Sequence, residues 1–362
     1  MDILYVGEDL LESQILRELA AKVVGHLPEA SQKMILGEGV AAPPSANEEV
    51  IAAVGGADLI IVTISNYTMR EALAASEAAR TNKPLILVAL GPRTWAKPEF
   101  TSLGKHVRAV FVADNDQAKE AKIHFPDSLV AVTGIPIYET FAFPKFSRQE
   151  VRTKLGIAEN EKFVLLPGDK DLPSNIPLAV CVLEALRTLP RPESYRVILT
   201  IHPGHKPILG QQSATDLISV YEQAFQGRNS KSPITISCKG TPFGIGTPDM
   251  VPGADIVVGI NSTVLVQAAY LRIPAVAMLL AGAFDYDVPQ YNFNWWAPAE
   301  NGAIMPIYNM STGKMRSLLR SLCVHDTNAV RTMRGIQEHV YPKPKKIGAS
   351  YDTMLGVLKP LF

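Results

Sequence analysis

Cysteine is scarce in this chain. Cys181, Cys238 and Cys323 are the only three among 362 residues, and they lie far apart. An odd, dispersed set fits neither a disulfide framework nor zinc-ligand spacing, so all three are expected to be reduced core thiols. Net charge is also missing: 35 Lys and Arg balance 35 Asp and Glu. That balance excludes the broad basic face a nucleic-acid binder needs and a polybasic membrane-surface segment. Long apolar runs are absent too. The longest, such as 275–283, are strand-length, well short of the roughly 18–20 residues of a membrane-spanning helix. The first ten residues show no basic stretch leading into an apolar one, so no secretory signal is expected. What is present is apolar: hydrophobic residues make up 47% and charged residues 19%, which excludes disorder. At roughly 150 residues per domain, the length predicts two domains. The composition predicts a soluble cytoplasmic protein.

The repeating unit is a short apolar run, a turn and a helical stretch. Strands are predicted at 2–6, 33–36, 58–64, 84–90, 107–113 and 129–133, with helices such as 12–24 and 68–80 between them. These runs are apolar throughout rather than alternating, as strands covered on both faces are. Residues 136–149 interrupt the pattern with two prolines, aromatic residues and charges. It then restarts, with strands predicted at 162–166, 196–201, 233–237, 255–258 and 275–280. Helices are predicted at 176–188, 213–225, 263–271, 312–324, 327–340 and 350–358. Strands alternating with helices imply right-handed βαβ units and parallel sheets. The predicted fold class is therefore α/β, with two Rossmann-like domains whose mainly parallel sheets face across a cleft. The domains are read as 1–140 and 150–342, and 343–362 is expected to return to the first domain.

Open parallel sheets bind ligands beyond the carboxyl ends of their strands, so the informative residues are those just after strands. Leu166-Pro167-Gly168-Asp169-Lys170 follows the first strand of the second domain. Glycine there would let the backbone approach a phosphate and Lys170 would neutralise it; an ordinary βα turn reads the same way. His202 closes the strand 196–201, with His205 three residues on. A neutral imidazole at that place can donate to a phosphate or act as a base near neutral pH, or simply cap local backbone. Asn261, Ser262 and Thr263 fall between a strand and a helix. They are suited to cap that helix, whose free N–H groups favour an anion.

Taken in order, these pieces resemble the glycosyltransferase-B (GT-B) superfamily. Its members include the peptidoglycan N-acetylglucosaminyltransferase, lipid-A-disaccharide synthase and the non-hydrolysing UDP-N-acetylglucosamine 2-epimerase. Val132-Thr133-Gly134-Ile135-Pro136-Ile137-Tyr138 is similar to the family's interdomain segment, Ile198-Leu199-Thr200-Ile201-His202-Pro203 to its histidine-bearing strand, and the stretch 255–274 to its strand–Ser-Thr–helix–Pro block. The resemblance covers roughly residues 130–280; the first domain matches only in its pattern. It implies a metal-independent glycosyltransferase that needs no cofactor and moves a sugar from a nucleotide-sugar donor to an unknown acceptor. Gly168, Asp169 and Lys170 would lie near the diphosphate, Asn261, Ser262 and Thr263 would bind phosphate, and His202 would sit near phosphate or sugar. Lys239 and Phe243 would lie against the base. Where the family has a ribose-binding Glu, this chain has Gln267.

The first domain would supply the base for an acceptor hydroxyl. Glu8 and Asp9 follow its first strand, and Asp114 and Asp116 follow a later one; each also reads as a turn or cap acid. Arg93, in Gly91-Pro92-Arg93-Thr94-Trp95, could hold an acceptor's anion. That loop lacks the acidic motif of the epimerases, which sets epimerase activity below transfer, and a non-catalytic binding or assembly module is the alternative. Asp285-Tyr286-Asp287 is a weak DxD match. It lies within the aromatic loop 284–296, which reads as a self-packed or homo-oligomeric contact or as a sugar platform.

Overall fold

The computed structural model describes residues 1–7, 10–36, 45–64, 69–90, 94–169, 172–202, 214–225, 234–238, 240–260, 262–279, 299, 301–308, 311–323 and 327–361. They form two compact units, one of residues 1–140 with 344–362 and one of residues 141–343.

The first unit is a six-stranded parallel sheet, β1 (Asp2–Gly7), β2 (Ser31–Leu36), β3 (Leu59–Ile64), β4 (Leu85–Ala89), β5 (Val107–Val112) and β6 (Leu129–Val132), in the order β2-β1-β3-β4-β5-β6. Its crossovers are α1 (Leu10–His26), α2 (Ser45–Gly56), α3 (Met69–Arg80), α4 (Pro98–Thr101) and α5 (Asn115–His124). The period-two geometry of a strand explains the unbroken apolar runs. Leu4, Val6, Ile60 and Val62 enter one core, while Ile3, Tyr5, Leu59 and Ile61 enter another. The strand order reverses between β1 and β3, so the carboxyl ends of those two strands mark a switch point.

The second unit is also a six-stranded parallel sheet, β7 (Lys162–Pro167), β8 (Tyr195–Ile201), β9 (Ile234–Cys238), β10 (Ile256–Gly259), β11 (Ala275–Leu279) and β12 (Met305–Tyr308). Its order is β12-β11-β10-β7-β8-β9, the arrangement of a dinucleotide-binding doubly wound sheet, with the reversal between β7 and β10. The short helices α6 (Pro136–Glu139), which belongs to the first unit, and α7 (Arg148–Leu155), which belongs to the second, lie in the stretch the sequence reads as a break. Ser147 starts α7 through a capping box with Glu150, a signal that the surrounding prolines and aromatic residues obscure. The remaining helices are α8 (Leu172–Arg187), α9 (Ala214–Phe225), α10 (Thr247–Met250), α11 (Thr263–Tyr270), α12 (Thr312–Leu322) and α13 (Asn328–Val340). β12 is a strand the sequence reading omits. It has four residues, includes Pro306 and pairs only with β11 at the sheet edge; proline is tolerated on such an edge.

A last helix, α14 (Ala349–Leu358), belongs to the first unit. Its Tyr351, Met354, Leu355 and Leu358 join the core formed with Ile15, Leu16 and Leu19 of α1. The buried carboxylate of Glu139 secures it, accepting from Gly348 N at 2.5 Å, Ser350 N at 2.5 Å and Ser350 Oγ at 2.7 Å. Gly134 has φ +75°, and a Cβ there would lie 2.8 Å from Ser350 Oγ. Hydrogen bonds to a charged acceptor contribute about 1.5–3 kcal/mol each. Glu139→Gln should therefore speed amide exchange in α14 well before global unfolding; unchanged exchange there would remove this role.

All three cysteines are free and buried, and burial pushes the thiols of Cys181 and Cys323 up from their ordinary values. No helix among the described residues is long and apolar enough to cross a membrane.

Candidate functional site

The four loops that follow β7, β8, β9 and β10 leave the same edge of the second sheet, since all four strands are parallel and adjacent. Five of the residues singled out in the sequence lie there among the described residues: Gly168 and Asp169 after β7, His202 after β8, Phe243 after β9, and Ser262 after β10. Thr263 opens α11 and Gln267 lies one turn further along it. Lys170, Lys239, Asn261, Glu8, Asp9, Arg93 and the loop 284–296 lie outside the described residues.

The turn after β7 is held by groups far apart in sequence. Gly168 N donates to Thr200 O at 2.8 Å, extending the β7–β8 ladder by one residue. A Cβ on Gly168 would stand 2.5 Å from Thr200 O and 2.9 Å from Asn175 Oδ1, so only glycine fits. Asn175, in the first turns of α8, accepts from Asp169 N at 2.6 Å and donates to Asp169 O at 3.1 Å and to the Tyr221 hydroxyl at 2.6 Å. Asn175 and Tyr221 are both fully buried. The network fixes the backbone at the switch point and commits the amide hydrogens of Gly168 and Asp169 to protein acceptors. The close approach that demands glycine here is to Thr200 and Asn175. Sequence reasoning passed over Asn175, although an amide at the start of an otherwise apolar helix was a visible signal.

His202 is half-buried directly beyond β8. After β9 the chain turns tightly. Cys238 N donates to Thr241 O at 3.0 Å, Thr241 N to Cys238 O at 2.9 Å, and Gly244 N to Gly240 O at 2.6 Å. Gly240 and Gly244 have φ of +83° and +71°, a region glycine enters without a steric penalty. This turn carries the half-buried Phe243. After β10, Gly259 lies against β7: a Cβ there would be 3.1 Å from Pro167 Cγ. Ser262 then caps α11, its Oγ accepting from Val264 N at 3.3 Å. Ser262 is half-buried and Thr263 exposed.

Gln267 is 5% exposed, and its Nε2 donates to Pro248 O at 2.8 Å. Its Oε1 is buried and has no hydrogen-bond partner among the described residues. A buried acceptor left unbonded costs about 1–3 kcal/mol.

The opposite edge of the sheet is a charge network with a structural role. Asp255, at the start of β10, has a side chain 1% exposed. It accepts from Arg148 at 2.8 Å, Arg152 at 3.2 Å and Phe163 N at 2.7 Å. Burial alone would push its carboxyl up. The Phe163 amide and the Arg148 guanidinium outweigh that and hold it below its ordinary value. In the first unit, Asp114 is the N-cap of α5, accepting from Gln117 N at 2.8 Å and Gln117 Nε2 at 2.8 Å, and Asp116 pairs with Lys119 on the surface. Both follow the cap-and-turn reading rather than that of an acceptor base. Among the described residues no three His, Cys, Asp or Glu side chains come together as a metal site would need.

No protein-family profile matches the chain. No curated protein sequence matches it either. Solved structures do. A Listeria monocytogenes protein described as a UDP-N-acetylglucosamine 2-epimerase is 13% identical with a TM-score of 0.65, covering 99% of this chain and 96% of its own. The UDP-N-acetylglucosamine 2-epimerase of Neisseria meningitidis, solved with UDP-N-acetylglucosamine bound, is 12% identical with a TM-score of 0.61, covering 99% of this chain and 100% of its own. MurG of Acinetobacter baumannii is 12% identical with a TM-score of 0.56, and the match covers 98% of both chains. These are members of the GT-B superfamily. With two parallel six-stranded sheets, the chain has the GT-B fold.

Proposed function

We propose that the chain is a GT-B-type glycosyltransferase that takes a sugar from a nucleotide-sugar held by the second unit and passes it to an acceptor, without a resident metal. The observation that carries this reading is the buried, unbonded Oε1 of Gln267. It lies on the helix that begins at the switch point, where an open parallel sheet takes its ligand. With Nε2 committed to Pro248, the amide can serve as acceptor for one ribose hydroxyl. A carboxylate at the same position would accept more strongly and from both hydroxyls. Ser262, Thr263 and Asn261, at the start of α11, would meet the diphosphate with His202 and Lys170. Gly168 and Asp169 would shape the turn, and Lys239 and Phe243 would flank the base. The first unit would receive the acceptor, with Arg93 as an anion contact and Glu8 or Asp9, after β1 at that sheet's switch point, as the base.

Nucleoside diphosphates test the donor half. A ligand at 100 times its Kd should stabilise the protein by about 2.7 kcal/mol. At least one of UDP, GDP, ADP, CDP and TDP should raise the unfolding temperature. Gln267→Leu should weaken that nucleotide roughly tenfold, the worth of one lost neutral hydrogen bond. Protection by none of the five would sink the reading.

A second reading is a binding or assembly module that has kept the fold without transfer. It is favoured by the amide in place of a carboxylate at Gln267 and by the committed amides of Gly168 and Asp169. Nucleotide binding with no turnover of any donor would support it. Epimerase activity ranks below both, because the loop 91–95 carries no acidic residue and its Trp95 is buried beside His124 and Phe125. Product analysis after incubation with UDP-N-acetylglucosamine separates the three.

A further inference from the structure

A groove of about 380 Å³ opens in the second unit at the start of β10 and β11, the opposite sheet edge from the loops that follow β7 to β10. Three arginines from separate elements line it: Arg148 of α7, Arg272 after α11 and Arg334 of α13. Asp255 is the one acid that lines it, and its carboxylate is already occupied. Oδ1 takes Arg148, and Oδ2 takes Arg152 and the Phe163 amide. Arg272 is oriented by carbonyls alone, donating to Ala269 O at 2.7 Å and Tyr341 O at 2.8 Å. Carbonyls fix a guanidinium in place but leave its charge uncompensated. Arg334 donates through Nε to Arg272 O at 3.1 Å, and no bond from its terminal nitrogens is found among the described residues. Glu338 acts on Arg272 from a distance and, among the described residues, forms no ion pair with either arginine. Three guanidinium groups therefore converge in one concave place, and among the described residues Asp255 is the one carboxylate bonded to any of them.

We propose that this groove binds the phosphate group of a phosphorylated ligand. A guanidinium presents a planar fork of donors that matches phosphate oxygens two at a time. A phosphate monoester brings about two negative charges and three acceptor oxygens, enough to serve forks arriving from different elements where a carboxylate offers two. Pro252, Leu271 and Pro274 form an apolar wall for the rest of the ligand, and the volume lies within the range of about 300–1,000 Å³ of small-molecule sites. The inference does not rest on the proposed transferase activity.

Isothermal titration of the full chain with inorganic phosphate at constant ionic strength tests it. Binding is expected that Arg334→Gln weakens at least tenfold and that persists in Ser262→Ala, which alters the other sheet edge and the proposed diphosphate site there. Arg334→Lys should retain part of the affinity, since it keeps the charge and loses the fork. Co-sedimentation with phosphatidylcholine vesicles containing phosphatidate distinguishes the sources of the group. Co-sedimentation that Arg334→Gln abolishes assigns a lipid headgroup, whereas phosphate binding without co-sedimentation assigns a soluble phosphorylated molecule. No phosphate binding, binding that Arg334→Gln leaves intact, or binding that Ser262→Ala removes would overturn the proposal.

Discussion

Asp255→Asn is expected to lower the unfolding free energy by about 3–5 kcal/mol, the cost of removing one partner of a buried ion pair. The loss comes less from the attraction itself than from what remains. Arg152, 9% exposed in its side chain, loses the carboxylate it is hydrogen-bonded to, and the Phe163 amide loses a charged acceptor. Denaturant titration at neutral pH should show a lower midpoint with an unchanged slope. Arg152→Met in the Asp255→Asn background should recover part of the loss, because the stranded charge is then gone. The pH dependence has a defined sign. The folded carboxyl lies below its ordinary value of 3.8, so its contribution is complete above that value and is lost as pH falls through the lower, folded one. The gap between wild type and Asp255→Asn should therefore be flat above about pH 5 and close on acidification. A gap that stays constant down to the acid transition would show that the carboxylate's charge is not what matters.

Asn175→Ala should cost about 2–4 kcal/mol, because three hydrogen bonds in a buried place lose a partner together and each orphaned group costs about 1–3 kcal/mol. The second consequence concerns function. Asp169 N, Asp169 O and the Tyr221 hydroxyl are all bonded by this one side chain, so its removal frees the turn at the β7–β10 reversal. Under the proposed donor site, nucleotide affinity should fall by at least tenfold, and the Asp169 amide should exchange faster than its neighbours on β7. Asn175→Asp separates geometry from stability. It keeps the acceptor for Asp169 N and loses both donated bonds, so it should protect that amide better than alanine does. Equal exchange at Asp169 in wild type and Asn175→Ala would refute the role.

The two residues in these predictions show where sequence reasoning stops. Asp255 was legible as the start of a strand, whereas Asn175, just before the helix read at 176–188, was passed over. Neither partner set was legible. Arg148 and Arg152 lie about a hundred residues before Asp255, and Tyr221 lies 46 residues after Asn175. Gly168 is a similar case. Its place after a strand pointed to a close approach, but the atoms approached, Thr200 O and Asn175 Oδ1, come from other elements. β12 escaped because four edge residues with a proline carry almost no local signal.

The alternation of apolar runs with helical stretches, and so two parallel-sheet units, was determined by the sequence alone. Strand and helix periodicity are local properties, set by which residues can be buried within a few positions of one another. Only the tertiary structure decided the two strand orders, the Glu139 carboxylate that secures α14, the commitment of the Gly168 and Asp169 amides, the unbonded oxygen of Gln267 and the convergence of Arg148, Arg272 and Arg334. Each depends on groups that pairing across the sheet brings together from distant parts of the chain, and no local pattern records which of them will meet.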